Sequence, residues 1–378
     1  MMPGFPRAAR CWLFLALLSP APSHAQTSST PAAAPTPHDG QHDFDFEIGA
    51  WHSQLKRLLH PLTGSTQWVD CDGTSVVRKV WNGRANLAEL EIHNGSTNIE
   101  GLSLRLYNTD THLWNLYYAT SDDGRIGVPM TGKFTNGRGE FYDQEDFHGR
   151  AVYVRFIFHD ITADALHFEQ SFSDDGGKTW EPNWISTYTR VSDDEDAQSS
   201  RATTPPVAPT TGPNDHQHDF DFEFGEWQAH IRRLLHPLSG SNEWVDLYGP
   251  SIVRKVWNGR ANLGEIDLTS TDKKTHIQGI SLRLYNPQAR QWNIYWASAS
   301  DGTLTTPLIG AFQNSSGDLK NARGEFYDRE DFRGQPIFVR FIFSELTATT
   351  FRLEQSFSPD AAKTWEPNWV STFTRENK

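Results

Sequence analysis

The 378-residue chain carries 34 Lys and Arg against 47 Asp and Glu, a formal charge of −13, with a mean hydropathy of −0.59. A surface that acidic repels nucleic acid and anionic lipid, and beyond the N-terminus no apolar run is long enough for a spanning helix. The 14 Trp, 10 Tyr and 23 Phe supply the area for more than one β-rich core.

In chain order, residues 1–25 read as a secretory signal. Arg7 and Arg10 form the basic region, residues 11–18 the short apolar stretch, and Ser23-His24-Ala25 a small-residue cleavage site. Cleavage there would remove both arginines, taking the charge from −13 to −15, and would leave Cys71 without a disulfide partner in the chain. The expected location is periplasmic or secreted, with no membrane insertion after cleavage. Residues 26–41, rich in Ser, Thr, Pro and Ala, read as a flexible tether.

Residues 42–190 and 218–378 repeat each other, joined by an acidic, Pro-rich linker at 191–217. His42-Asp-Phe-Asp-Phe-Glu47 recurs as His218-Asp-Phe-Asp-Phe-Glu223, and 33 of the 51 positions from His42 to Ile92 match at an offset of 176. The offset later drifts to 178 and 185, which places insertions in loops such as 314–321. So long a period means two complete domains rather than a solenoid or propeller.

Each copy reads as β. Leu102, Leu104 and Leu106 alternate along one strand, Val152, Val154, Phe156 and Phe158 along another, and Leu166, Phe168 and Phe172 along a third. Asn-Gly and Asp-Gly pairs mark the turns. Eight to ten strands per copy are expected, arranged as an antiparallel meander closed into a barrel.

The motif Phe44-Asp-Phe-Glu-Ile-Gly-Ala-Trp51 and its twin at Phe220–Trp227 resemble the start of lipocalin barrels. There a Gly-x-Trp opens the first strand and an Arg from the last strand covers the Trp. Here Gly49, Trp51 and Arg190, then Gly225, Trp227 and Arg375, fit that pattern. Over about 150 residues per copy the chain resembles an uncharacterised lipocalin-like (calycin-type) exported bacterial family. The resemblance implies an all-β chain of two tandem lipocalin-like antiparallel barrels with one cavity each, and no agreed activity.

Ser173-Asp-Asp-Gly-Gly-Lys-Thr-Trp180 matches the Asp-box pattern, and Ser358-Pro-Asp-Ala-Ala-Lys-Thr-Trp365 is its twin. One box per domain is too few for a propeller, so a hairpin stabiliser is expected. The His and acids around residue 42 lack a metal-ligand spacing, so no metal site and no cofactor are expected. Phe44 and Phe46 are expected to plug the barrel end while the neighbouring acids stay solvated or cap backbone amides. Leu247 replaces Cys71 in the second copy, which excludes a shared Cys nucleophile.

The most informative residues are polar and repeated: Arg105, Asn115, Tyr117, Tyr142 and Arg155, with Arg283, Asn293, Tyr295, Tyr327 and Arg340 in the second copy. If this set faces inward, its arginines would fix a small polar or anionic molecule, and Trp81 and Trp114 would line the walls. If it faces outward it is a solvated surface, with Arg155 and Glu169 paired across a hairpin. Alternation alone leaves both open. A second reading is a hydrolase or isomerase for a small polar, carbohydrate-like substrate, using Glu140, Glu169 or His60, or Glu325, Glu354 or His236, as acid or base. A third is a structural protein with solid barrel cores.

Overall fold

The computed structural model describes residues 39–95, 97–194, 216–313 and 319–376. The signal, most of the tether and most of the linker lie outside these residues. Ten strands form the first barrel: β1 (Gly49–Leu58), β2 (Trp68–Val80), β3 (Ala85–Asn94), β4 (Thr97–Asn108), β5 (Leu113–Thr120), β6 (Met130–Thr135), β7 (Arg138–Phe147), β8 (Arg150–His159), β9 (Ala165–Ser173) and β10 (Glu181–Ser192). Ten more form the second: β11 (Gly225–Leu234), β12 (Trp244–Val256), β13 (Ala261–Ser270), β14 (His276–Asn286), β15 (Gln291–Ser298), β16 (Leu308–Gln313), β17 (Arg323–Phe332), β18 (Gln335–Ser344), β19 (Thr350–Ser358) and β20 (Glu366–Arg375). Every strand pairs antiparallel with its sequence neighbours, and β1–β10 and β11–β20 pairings close the two barrels, leaving no open edge.

One end of each barrel is shut by a short 3-10 turn before the first strand, Asp45–Glu47 or Asp221–Glu223. Phe44 is 1% exposed and meets Trp114, Phe134 and Phe158 edge-on, with ring centroids 4.9–5.4 Å apart. Phe220 repeats the arrangement with Trp292, Phe312 and Phe343. The lid is fastened by the Trp and Arg expected from the sequence. Trp51 Nε1 donates to the Glu47 carbonyl at 2.7 Å, and the Arg190 guanidinium lies 4.1 Å from the Trp51 ring centroid. Arg190 also donates to the Phe46 and Ile48 carbonyls, so it stacks on the Trp and satisfies the turn's carbonyls together. Arg375 does the same over Trp227.

The Asp boxes are hairpin locks. Asp175 accepts from the Lys178 and Thr179 amides and the Thr179 hydroxyl, which hold its carboxyl well below the usual range. Asp360 does likewise and is lowered to about 2, chiefly by the Thr364 amide and hydroxyl. The second box keeps the backbone of the first without its glycines: Gly176 and Gly177 have φ of 78° and 82°, Ala361 and Ala362 of 60° and 64°. A Cβ in that left-handed region costs about 1–2 kcal/mol, partly offset by the freer unfolded glycine. Ala361→Gly/Ala362→Gly should therefore raise the thermal midpoint by a few degrees. An unchanged or lower midpoint would mean these turns carry no strain.

The two barrels are not beads on a tether. The stripe Leu102, Leu104 and Leu106 points away from its own barrel interior and packs against Leu263, Ile280, Leu282 and Leu284 of the other, all at 2% exposure or less. The contact is close to isologous, since each barrel offers the same patch and two pairs of bonds recur in both directions. Asn115 Nδ2 donates to the Gly302 carbonyl at 3.1 Å, and Asn293 Nδ2 to the Gly124 carbonyl at 2.8 Å. The Tyr117 hydroxyl accepts from the Leu304 amide, and the Tyr295 hydroxyl from the Ile126 amide, each at 3.1 Å. Gly124 and Gly302, at φ 59° and 61°, let these loops press onto the opposite barrel, where a Cβ would fall 2.1–2.2 Å from the Tyr285 or Tyr107 carbonyl oxygen.

Candidate functional site

Each barrel holds a cavity between its plug and its open end, about 530 Å³ in the first and about 790 Å³ in the second. The walls come from the inward faces of the strands. In the first barrel these are Leu116 and Tyr118 on β5, Phe156 and Phe158 on β8, Phe168 and Phe172 on β9, and Trp184 and Tyr188 on β10.

The floor is an ion pair inherited from the plug. Arg105, 5% exposed, donates to both carboxylate oxygens of Glu47, at 2.6 and 3.1 Å, and to Asn86 Oδ1 at 3.3 Å. The second barrel repeats it with Arg283, Glu223 and Asn262, the first two bonds again 2.6 and 3.1 Å. Burial pushes the Glu223 carboxyl up, against the pull of Arg283. Glu47 therefore departs from the expectation that the acids after His42 stay solvated. Its carboxylate turns inward because the 3-10 turn places it, 4% exposed, above the barrel axis facing Arg105. Asp45 stays outside, 3.3 Å from His42 and 3.8 Å from Lys79. The Nε of Arg105 and of Arg283 is buried with no acceptor among the described residues.

Around this pair the barrels differ. In the first, the Tyr188 phenol lies beside Ser53 and Ser186, and burial plus the Glu47 charge raise it to about 12, so it stays neutral. In the second, Phe373 replaces Tyr188 and Ala229 replaces Ser53, leaving a less polar surround.

The polar residues expected to act together fall in three places. Arg105 and Arg283 face the cavities. Asn115, Tyr117, Asn293 and Tyr295 lie in the contact between barrels, as does Trp81, while Trp114 belongs to the plug. Tyr142, Arg155, Tyr327 and Arg340 lie on the outer face. There Arg155 sits 4.5 Å from the Trp180 centroid and 3.7 Å from Glu169, and Arg340 4.3 Å from the Trp365 centroid. The single inward polar face is thus corrected: on β8 the aliphatic stripe points in, so Arg155 points out, whereas on β4 the aliphatic stripe meets the other barrel, so Arg105 points in.

The candidate acids Glu140 and Glu325 are also outside, accepting from Tyr142 and Arg138, or from Tyr327 and Arg323, which lower both carboxyls. Glu169 and Glu354 share that outer face, Glu354 beside Arg352 at 2.7 Å. His60 is exposed at the mouth of the first cavity, and the exposed His236 lies 3.7 Å from Glu243. Among the described residues one group has metal-ligand proximity: Asp160, on the outer β8–β9 hairpin, contacts His159 at 2.8 Å and His167 at 3.2 Å. The second copy has Ser344, Glu345 and Arg352 there.

The inward acids that sequence reasoning passed over are Asp143 and Glu145, with Asp328 and Glu330 in the second barrel. They share the face of buried Phe141 or Phe326, so the repeated Phe-Tyr-Asp-x-Glu-Asp-Phe carries the signal. Both Asp143 oxygens are shut off from solvent with no donor beside them, and Glu145 is within hydrogen-bond reach. Two ionised carboxylates so placed repel each other, and a proton on one of them relieves the repulsion. Burial, then the Glu145 charge, push Asp143 well above the usual carboxylate range.

A folded-state value above the unfolded one means the native state keeps a proton that the unfolded chain has released. The contribution is present at pH 4 and lost as pH rises through the folded value. Asp143→Asn should accordingly stabilise the chain at pH 8 and change little at pH 4, read as the difference in urea midpoint between variant and native protein. A variant that tracks the native chain at both pH values would rule out a burdened acid pair.

No family model and no curated protein matches the chain. Solved structures with similarity include EF1p2_mFAP2b bound to DFHBI, at 11% identity and TM-score 0.23, spanning 43% of this chain and 99% of that one. A protein of unknown function from the DUF3598 family of Nostoc punctiforme aligns at 9% identity and TM-score 0.24 over 89% of this chain and 99% of its own. Transferrin binding protein B of Haemophilus parasuis, a double mutant, aligns at 8% and 0.17 over 87% and 76%. The two-barrel architecture rests on the strands themselves.

Proposed function

We propose that the chain is a small-molecule container, each barrel taking one mainly apolar ligand through the end opposite its aromatic plug. The observation that carries this reading is the pair of cavities, about 530 and 790 Å³, at equivalent places in the two copies. Both fall within the range of about 300–1,000 Å³ usual for ligand pockets. Solid cores would leave no such space. Binding is further supported by the places of the acids singled out from the sequence: Glu140, Glu169, Glu325 and Glu354 stand outside the cavities, and Glu47 and Glu223 are each engaged by an arginine.

Isothermal titration of the full chain with 1-decanol tests it, with two sites expected. Ser103→Trp and Ser281→Trp, each projecting a large ring into one cavity, should each remove one site. Absence of binding, or two sites surviving in both variants, would sink the container reading. The export signal read in residues 1–25 extends the proposal to a protein working outside the cytoplasm, which fractionation of cells expressing the chain with and without that segment would test.

A further inference from the structure

The two cavity mouths differ in a charge that comes from the opposite barrel. Arg84, between β2 and β3, reaches across the contact: its Nη2 donates to Gln278 Oε1 at 2.6 Å and its Nη1 to the Ala299 carbonyl at 3.4 Å. There it lines the second cavity. Its twin Arg260 reaches back to the first barrel in the same way but meets Glu100, whose same oxygen also accepts from the Ser121 hydroxyl at 2.8 Å. Gln278 stands where the first copy has Glu100. A carboxylate cancels Arg260 directly, whereas an amide bonds Arg84 without cancelling its charge.

The remaining charge at the second mouth does not reverse this. Arg233 and His276 line the same rim, opposed by Glu330. Asp267 lies behind Gln278, accepting from Gln278 Nε2 at 3.0 Å and facing His276 at 2.7 Å. Deeper in, the walls are Ile231, Ile266, Ile294, Trp296 and Phe341. At the floor Arg283 is engaged by Glu223 and Asn262, and the Tyr188 and Ser53 hydroxyls of the first barrel are replaced by Phe373 and Ala229. A ligand with an apolar body and one polar end is thus best served by placing that end at the mouth, where Glu330 and Asp267 match Arg84 and Arg233 in number but the side chain bonded to Arg84 is a neutral amide.

We propose that the second barrel binds an amphipathic monocarboxylate, its apolar body in the cavity and its carboxylate at the mouth, and that Arg84 of the first barrel fixes the carboxylate. Arg84 is then a specificity residue supplied across the contact, and the second site is incomplete in an isolated second barrel. The inference rests on the container reading and adds a ligand class to one of its two sites. A guanidinium already held by two acceptors is oriented in advance, so little freedom is lost when a carboxylate docks.

Titration of the full chain with decanoate and 1-decanol separates charge from apolar body. The native chain should hold decanoate about tenfold more tightly than decanol at the second site, the value of one charge-assisted contact at a half-buried rim. Arg84→Gln should remove that preference, bringing decanoate to the affinity of decanol. Gln278→Glu, which gives the second mouth the pairing of the first, should do the same with Arg84 still present. Equal affinity for the two ligands in the native chain, or a preference that survives both variants, overturns the role of Arg84 while decanol binding keeps the container reading intact. Failure of both ligands to bind overturns the container reading itself.

Discussion

Glu47→Ala should destabilise the first barrel by about 3–5 kcal/mol, the cost of leaving a buried charge without its partner. Arg105 is 5% exposed, and its strong acceptors are the two Glu47 oxygens and Asn86. Removing the carboxylate leaves the guanidinium, 4.8 Å from the Phe44 ring centroid, at the cavity floor without its counter-charge. The loss extends to the lid, because the Glu47 carbonyl holds Trp51 and the turn containing it is tied down by Arg190. Replacing both partners, as Glu47→Gln/Arg105→Met, should recover most of the loss, since a neutral pair of similar volume needs no counter-charge. Denaturant unfolding of single and double variants checks this. A single variant within about 1 kcal/mol of native would show that the pair does not hold the floor.

The second large effect is expected at the contact between barrels. Leu104 is 0% exposed, and Leu104→Asp places a carboxylate among leucines from both copies. Burying an unpaired charge costs several kcal/mol, and separating the barrels is the way to avoid that cost. With a protease site inserted between residues 195 and 215, the cut native chain should elute as one species. The cut Leu104→Asp chain should elute as two folded halves. A native chain that falls apart on cutting would mean the apolar stripe is too weak to hold the barrels; a variant that stays whole would mean the stripe is not what holds them.

Much of the barrel was legible because its signals are local. Strand alternation, Asn-Gly turns and the Gly-x-Trp opening with its Arg near the end all depend on residues close in sequence or on one long-range pair with a known geometry. The Asp-box lock was legible for the same reason, since its bonds span at most four residues. The site was less so. On β7 the pattern alone does not separate Glu140 and Tyr142 from Asp143 and Glu145, because which stripe faces the interior differs from strand to strand.

What the sequence determined by itself is the duplicated all-β chain, its strands and turns, and the residues that alternate on each strand, because backbone pleat and local hydrogen bonds follow from neighbouring residues. What only the tertiary structure decided is which face is inside. A leucine stripe is satisfied equally by its own barrel core or by another surface, so Leu102, Leu104 and Leu106 could turn outward only because the second copy presents the same stripe to cover them. That one choice sends Arg105 to the cavity floor, Asn115 and Tyr117 to the contact between barrels, and Arg84 to the mouth of a cavity in the opposite copy.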